Sequence, residues 1–407
     1  MMAKVQVSAS HTGSHDQSHN IKWGIAAGFS ASLVGIGLAR FAYTPLLPAI
    51  IDAGWFDASK AAYLGAANLA GYLLGALTGR VMAQKSSTAF TLRAMMLLAS
   101  VAFFACAFPV SYLWFFAWRL LSGISGGALM VLAAPTVLAY VSPSKRGLSG
   151  GIIFMGVGVG IAASGTLVPL LLQQGLKQTW LGLGVISLVF TAIAWKGWPK
   201  QDAAPVHALQ HPRQSKNTTL KALYAEYALN AAGWVPHMIF LVAFIAHGLG
   251  QGLEVGAQYW VLFGIGATLG PLLAGVLADR VGFGLALRLS FILEGICVCI
   301  PALGLGTPWL MASSVVVGAF VTGTVPLVLG RVQELLVHHP AQQNAAWRTA
   351  TVGFALFQAV AAYGFSYLFS YSGGNYALLF LLGTGAIALA FLIDIVASRS
   401  AEITRAA

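Results

Sequence analysis

Long apolar runs, broken by short clusters of charge, Gly, Pro or Asn, organise this chain from residue 22 to residue 397. Each run is long enough for a helix to cross the hydrocarbon core of a bilayer, which takes about 20 residues. The pattern predicts helices over 22–50, 60–79, 90–110, 112–141, 147–172 and 178–198, then over 221–247, 254–278, 286–305, 308–330, 346–370 and 375–397. The expectation is therefore an all-α integral membrane protein with twelve transmembrane helices. Pro45 and Pro48 predict a bend or an end in the long first span, because proline removes a helical N–H and crowds the preceding turn. A polar stretch, PKQDAAPVHALQHPRQSKNTTLK, separates the sixth span from the seventh and reads as a linker. The expected organisation is a tail over 1–21, a six-helix bundle over 22–198, a linker over 199–220, a second bundle over 221–397 and a tail over 398–407.

Composition agrees with this pattern. Of 407 residues, 58% are apolar and 8% are charged, whereas a soluble domain carries about 25% charged residues. The net charge of +11 is not a nucleic-acid footprint, because its positions sort by side of a membrane. With a cytoplasmic N-terminus, eighteen of the 22 Lys and Arg residues fall in inner segments, and only Lys60 and Lys177 fall outside. Both termini are expected in the cytoplasm. Arg40 and Arg119 are the two that lie within spans. The first twenty residues are polar and the apolar run after them is too long for a cleaved core, so no signal peptide is expected. Cys106, Cys297 and Cys299 sit inside apolar runs, and no structural disulfide, metal or cofactor is expected. His11, His15 and His19 are read as part of a polar tail in preference to a metal site.

The chain repeats itself at a spacing of 200 residues. YLGAANLAGYLLGALTGRV at 63–81 aligns without a gap on FGIGATLGPLLAGVLADRV at 263–281, sharing seven of 19 positions, Gly75/Gly275 and Arg80/Arg280 among them. These are the second and eighth spans, at equivalent places in the two halves. Related halves that rock about a midplane site are a common transporter design. Gly275-Val-Leu-Ala-Asp279-Arg280-Val-Gly282 resembles the signature loop of the major facilitator superfamily, and Arg119-Leu-Leu-Ser-Gly123 resembles its fourth-helix motif. Gly37-Leu-Ala-Arg40-Phe-Ala-Tyr43-Thr-Pro45 is similar to the first-helix signature of the YbfB/YjiJ-like branch of bacterial transporters. The resemblance implies two pseudo-symmetric six-helix bundles, alternating access, and a place in the bacterial inner membrane. In the first half Gly79 replaces the signature Asp, so a charged gate would rest on the second copy: Gly275, Asp279, Arg280, Gly282 and, further on, Arg288. Asp279 is expected to act as a conformational latch, pairing with Arg288 or a helix N-terminus in one state.

Charges at membrane depth should face protein or a water-filled cavity. Arg40 shares a helix face with Tyr43 and Thr44, and its planar guanidinium suits a carboxylate or phosphate. The alternative is that it satisfies carbonyls freed by Pro45 and Pro48, or snorkels outward. Arg119 is read either as a cavity residue or as an outer-interface snorkel. Glu226, Asn230, Gly233 and His237 form one stripe on the seventh span, within about 40° at 100° per residue, expected to face the cavity or the other half. His237 and Glu226 are the proton-coupling candidates, against a plain hydrogen-bonding role. Trp234 and Tyr72, with Tyr43, would make an aromatic cavity, which suits efflux of amphipathic compounds. Asn68 and Gln358 are mid-membrane amides, read as interhelix glue or substrate ligands. Glu294 lies mid-way along the ninth span, a helix the resemblance places at the periphery; it is read either as protonated and paired within the bundle or as misjudged in depth, and is not selected as the coupling acid. Gly147, Gly151, Gly158 and Gly165 make a small-residue face, read as packing; Gly156, Gly158 and Gly160 are not a dinucleotide fingerprint, since no strand precedes them.

The leading reading is a monomeric secondary transporter of a small organic solute, anionic or carboxylate-bearing, with proton coupling left open. Its partners are the solute, the bilayer and conceivably protons, with no nucleic acid. The runner-up is efflux of amphipathic toxic compounds, and a non-transporting membrane sensor comes last. An enzyme is disfavoured, as no metalloprotease, nucleophile-elbow or P-loop motif is present.

Overall fold

The computed structural model describes residues 11–141, 146–199 and 218–406. Of the expected linker over 199–220, residues 200–217 lie outside the described residues, as do the side chains of the three N-terminal histidines, and 218–220 already belong to the seventh span. Among the described residues, twelve helices are long and apolar enough to cross a membrane: Ile21–Asp52, Ala58–Lys85, Thr88–Cys106, Tyr112–Leu138, Ser149–Leu172, Leu176–Ala194, Thr218–Gly248, Gly252–Val281, Phe283–Leu303, Thr307–Leu335, Ala345–Tyr371 and Tyr376–Ser398. The first helix begins at His11, well before the expected start, because polarity ends the apolar run without stopping the helix. Both Ile21 and Ser398 lie at one face of the bundle, here the terminal face; Asp52 and Gly248 lie at the opposite, distal face.

Local chemistry sets the short connections. Asp57, Ser87 and Ser111 cap the second, third and fourth helices, their side chains accepting from the backbone N–H of Lys60, Phe90 and Trp114. Asp57 lies in a loop and its carboxyl is held below the ordinary carboxylate range, first by that Lys60 amide. Gly282, at φ +80°, ends the eighth helix and starts the ninth without a further loop residue, a backbone conformation only glycine adopts freely.

The first and seventh spans are both broken. The first runs as an α-helix to Ser32, a π-helix over Leu33–Leu38, a turn over 39–42, and a second α-helix over Tyr43–Asp52. The break therefore precedes Pro45, which falls in the first turn of the new helix where its missing N–H costs little; Pro48 lies inside it. The seventh breaks at Trp234 (φ −95°, ψ 0°), between Thr218–Gly233 and Val235–Ala243, and then widens to a π-helix over Phe244–Gly248. Pro236 at the start of the second segment accounts for that break.

In lipid there is no hydrophobic force between helices, so close contact needs small residues. A Cβ on Gly71, Gly75, Gly123 or Gly127 would meet the backbone of the paired helix at about 2 Å, which welds the second span to the fourth. Gly266, Gly270 and Gly318 do the same for the eighth and tenth. The repeat is thus kept as a helix pair but not residue for residue: a Cβ on Gly75 would lie 2.0 Å from the Ile124 carbonyl, whereas Gly275 faces open space.

The halves meet through the fifth and eighth, second and eleventh, and first and seventh spans. Toward the distal face they are closed. Gly165 packs on Val261 and Gly158 on Thr268, Trp260 Nε1 donates to Ser164 Oγ at 3.1 Å, and His247 Nε2 meets Asp52 Oδ1 at 3.0 Å. Toward the terminal face they part: one further heptad along the same helix faces, Gly151 and Gly275 have nothing within 4 Å of a built Cβ. Of the expected small-residue face on the fifth span, Gly158 and Gly165 are packing, and their partner is the other half; Gly151 packs on nothing. Gly156 and Gly160 likewise pack on Phe29 and Gly37 of the first span.

Candidate functional site

The break in the first span creates the site. The Ala39 carbonyl, released from regular helix, accepts from Arg119 Nη1 at 2.9 Å, Ser122 Oγ at 3.4 Å and Asn68 Nδ2 at 3.5 Å. A buried carbonyl needs such partners. Arg119 also donates to the Leu64 carbonyl at 3.4 Å, and its guanidinium carbon lies 4.3 Å from the centre of the Tyr43 ring. Tyr43 in turn donates to the Ala61 carbonyl at 2.7 Å. Arg119 is 2% exposed, so it does not snorkel to an interface; it clamps the break and lines the cavity beneath it. Asn68 is glue within the first half.

Immediately after Ala39, Arg40 points the other way. It is buried, its Nη2 and Nε lie 3.2 and 3.4 Å from Met238 Sδ across the interface, and no carboxylate among the described residues bonds it. Three aromatic rings surround the guanidinium, with centroids at 5.0 Å for Phe41, 5.0 Å for Tyr72 and 5.6 Å for Trp234. Thr44 Oγ1 donates to the Met238 carbonyl, tying the two broken spans together. Arg40, Tyr43, Thr44, Asn68, Arg119 and Met238 line a small enclosed cavity between the halves. From Trp234 an aromatic chain continues through Phe354 to Tyr227 and Trp347, toward the terminal face. Gln358, one turn beyond Phe354 on the eleventh span, is fully buried with neither amide atom bonded, and the Trp234 Nε1 donor is also unpaired.

The stripe on the seventh span does not face this cavity. Asn230 Nδ2 donates to Glu294 Oε2 of the ninth span, Gly233 packs on Ile387 and Gly383 of the twelfth, and His237 Nε2 lies 2.9 Å from Ser313 Oγ of the tenth. Neighbours within its own bundle supply the polar partners, so the expectation that the stripe faces the cavity or the other half is corrected. Glu226 is buried near the terminal face, with Asp394, Arg331 and Arg288 as its charged neighbours. Glu294 is fully buried and paired within the bundle through Asn230, although its helix packs chiefly on spans of its own half.

The signature loop is also arranged differently from expectation. Arg288 is held by Asp394 Oδ2 at 2.5 Å and Ser398 Oγ at 2.7 Å, leaving Asp279 without it. Asp279 and Arg280 are exposed. The loop is fastened instead by Glu334, which accepts from the Phe283 N–H at 3.3 Å and from Arg331 at 3.0 Å. Glu334, Asp394, Met238 and the Asp52–His247 pair carry no motif; a carboxylate near a helix end is too common in sequence to select.

Comparison with known proteins gives a consistent result. The chain is 26% identical over 301 residues to the 3-(3-hydroxy-phenyl)propionate transporter of Escherichia coli (strain K12), covering 67% of this chain and 69% of that protein. It is 26% identical over 313 residues to the gallate transporter of Pseudomonas putida, covering 65% and 67%. Among solved structures, a bacterial homologue of the human lysosomal transporter Spinster, in an inward-facing and occupied conformation, superposes with a TM-score of 0.70 at 14% identity, over 94% of this chain and 97% of that one. That likeness shows the fold: twelve helices in two six-helix bundles. The profile described as "Uncharacterised MFS-type transporter YbfB" matches residues 32–395, and the chain belongs to that family of multi-pass membrane transporters of the major facilitator type.

Proposed function

We propose that this protein is a secondary carrier of small carboxylate-bearing aromatic solutes, working by alternating access between its two halves. One observation carries the reading: a buried guanidinium, Arg40, sits at the junction of the halves, without a bonded carboxylate and within three aromatic rings. A carboxylate would complete the guanidinium's fork in bidentate fashion, and the rings would stack on the solute's own ring. Gln358 and Trp234 Nε1 supply unspent polar groups for its substituents. The two aromatic-acid transporters to which the chain is similar support the same solute class.

The positive-inside bias supports a terminal face, with both termini, on the cytoplasmic side, which in this reading is that of a bacterial inner membrane. The splayed contact at Gly151 and Gly275 then corresponds to a form opening inward, and the Asp52–His247 and Trp260–Ser164 contacts to a shut outer gate. Solute would exchange between Arg40 and the cytoplasm past Tyr227 and Trp347. Asp279 remains a latch candidate for the opposite form.

The test is thermal stabilisation of the purified protein by aromatic acids, aliphatic acids, sugars and hydrophobic cations, run beside Arg40→Ala. A ligand of the folded state raises stability with its occupancy. Stabilisation by 3-(3-hydroxyphenyl)propionate or gallate that is lost in the variant is expected. Stabilisation by hydrophobic cations alone, indifferent to Arg40, would replace this reading with efflux of amphipathic compounds.

A further inference from the structure

We propose that Glu294, paired with Asn230, is a proton-binding site inside the C-terminal bundle, separate from the solute cavity. Glu294 lies eleven residues into the ninth span, about 16 Å from its start at helical rise and so near the middle of a hydrocarbon core of about 30 Å. It is wholly buried. Its one hydrogen-bond partner among the described residues is the Asn230 amide, on Oε2.

The hydrogen count is the argument. After Asn230 Nδ2 donates to Glu294 Oε2, Glu294 Oε1 and Asn230 Oδ1 are both left without a donor. Two bare acceptors on the two members of one hydrogen bond call for one more hydrogen. A proton on Oε1 supplies it: an acid–amide pair closes two hydrogen bonds and carries no charge. An ionised carboxylate would leave Glu294 Oε1 and Asn230 Oδ1 both unsatisfied and a charge buried without a cation, each a large cost at this depth.

Charged and titratable groups on the neighbouring helices leave Glu294 alone. On its own helix are Arg288, engaged by Asp394 of the twelfth span, and Cys297, one turn on, whose thiol lies close enough to interact with Glu294 but supplies no cation. The tenth span offers Arg331 and Glu334, paired with each other, and the eighth offers Asp279 and Arg280, which are exposed. From the seventh come His237, held by Ser313, and Glu226. Glu226 precedes Asn230 by one turn on the same face, toward the terminal side. Proton release breaks the O–H bond on Glu294 Oε1, leaves the electron pair on the carboxylate, and passes the proton by way of the Glu226 carboxylate to water at that side.

Because Asn230 and the Arg40-facing residue Trp234 belong to one broken helix, a change in the pair's proton count and a change in the cavity bias the same element. That is the condition for coupling. Coupling to solute rests on the transporter reading above, whereas the protonation site itself does not.

The experiment labels the full-length protein in liposomes, without solute, using dicyclohexylcarbodiimide, which modifies buried protonated carboxyls, followed by peptide mass mapping. Modification of Glu294 that declines as pH rises, and is absent in Glu294→Gln, is expected. Modification of Glu226 with Glu294 untouched, or labelling of Glu294 that does not change with pH, overturns the proposal. Glu294→Gln keeps both hydrogen bonds to Asn230 and should retain the wild-type melting transition, so loss of label there is not a folding defect. In a second arm with 3-(3-hydroxyphenyl)propionate, Glu294→Gln should exchange solute as the wild type does while losing accumulation driven by a pH gradient; unchanged accumulation refutes the coupling. Absence of any wild-type transport would count against the aromatic-acid reading alone, because the labelling arm needs no solute.

Discussion

Replacing Arg40 by Met separates binding from stability in opposite directions. In the empty protein the guanidinium is buried against a sulfur and three rings, with no anion bonded to it. Removing it forfeits cation–π attraction of about 0.5–2 kcal/mol but also relieves the cost of a desolvated, unpaired charge, and hydrophobic replacement of buried ionic groups is often stabilising by about 1–4 kcal/mol. The unliganded Arg40→Met protein should therefore melt no lower than wild type. Ligand affinity should fall sharply. Two charge-assisted hydrogen bonds to a carboxylate, at about 1.5 kcal/mol each, amount to about 3 kcal/mol, or roughly a 150-fold weaker Kd. Arg40→Lys keeps the charge but not the fork, and should weaken binding by about tenfold. The assay is a thermal-shift titration of each variant in detergent with an aromatic acid. A lower melting temperature for Arg40→Met together with an unchanged ligand titration would refute the reasoning and make Arg40 a structural residue.

Other expectations follow from the same geometry. Arg119→Leu strips the main donor from the Ala39 carbonyl at the break and should cost about 1–3 kcal/mol, seen as reduced folded yield whatever ligand is present. Gly158→Val would drive a side chain into the Thr268 backbone and should force the distal face open, whereas Gly151→Val should leave it unchanged; spin-label distances across that face distinguish the two. Asp52→Cys combined with His247→Cys should be joined across the halves by a short bifunctional methanethiosulfonate reagent, abolishing transport until reduced, and transport persisting in the cross-linked form would dissociate this contact from the gate. His237→Gln, which can keep a hydrogen bond to Ser313, should retain pH-gradient-driven accumulation; its loss would return His237 to the proton path.

Periodicity alone was enough for the twelve spans, because crossing a bilayer demands uninterrupted apolar length and the interruptions are polar. The repeat at 200 residues and the Gly275–Gly282 loop were enough to name the fold, since both are contiguous in sequence. The break in the seventh span was foreseeable from Pro236; the break in the first lies upstream of its prolines, and only the convergence of Arg119, Ser122 and Asn68 on Ala39 locates it. Arg40 was legible because a charge in an apolar run stands out. Its partners were not: Met238, Tyr72 and Trp234 are ordinary membrane residues, and they become a ring around a guanidinium only when the first, second and seventh spans pack.

The polar stripe from Glu226 to His237 marks the limit most clearly. A helical projection places these residues on one face and says nothing about what that face meets. In lipid, a polar face must find partners, and both a water-filled cavity and the interior of its own bundle satisfy that requirement. Glu294 and Ser313, 64 and 76 residues away in sequence, decide for the bundle. Sequence by itself determined where the chain crosses the membrane, because that depends on local apolar length; tertiary structure decided which buried polar groups are spent on one another and which are left for a ligand or a proton, because hydrogen-bond satisfaction is settled between helices distant in the chain.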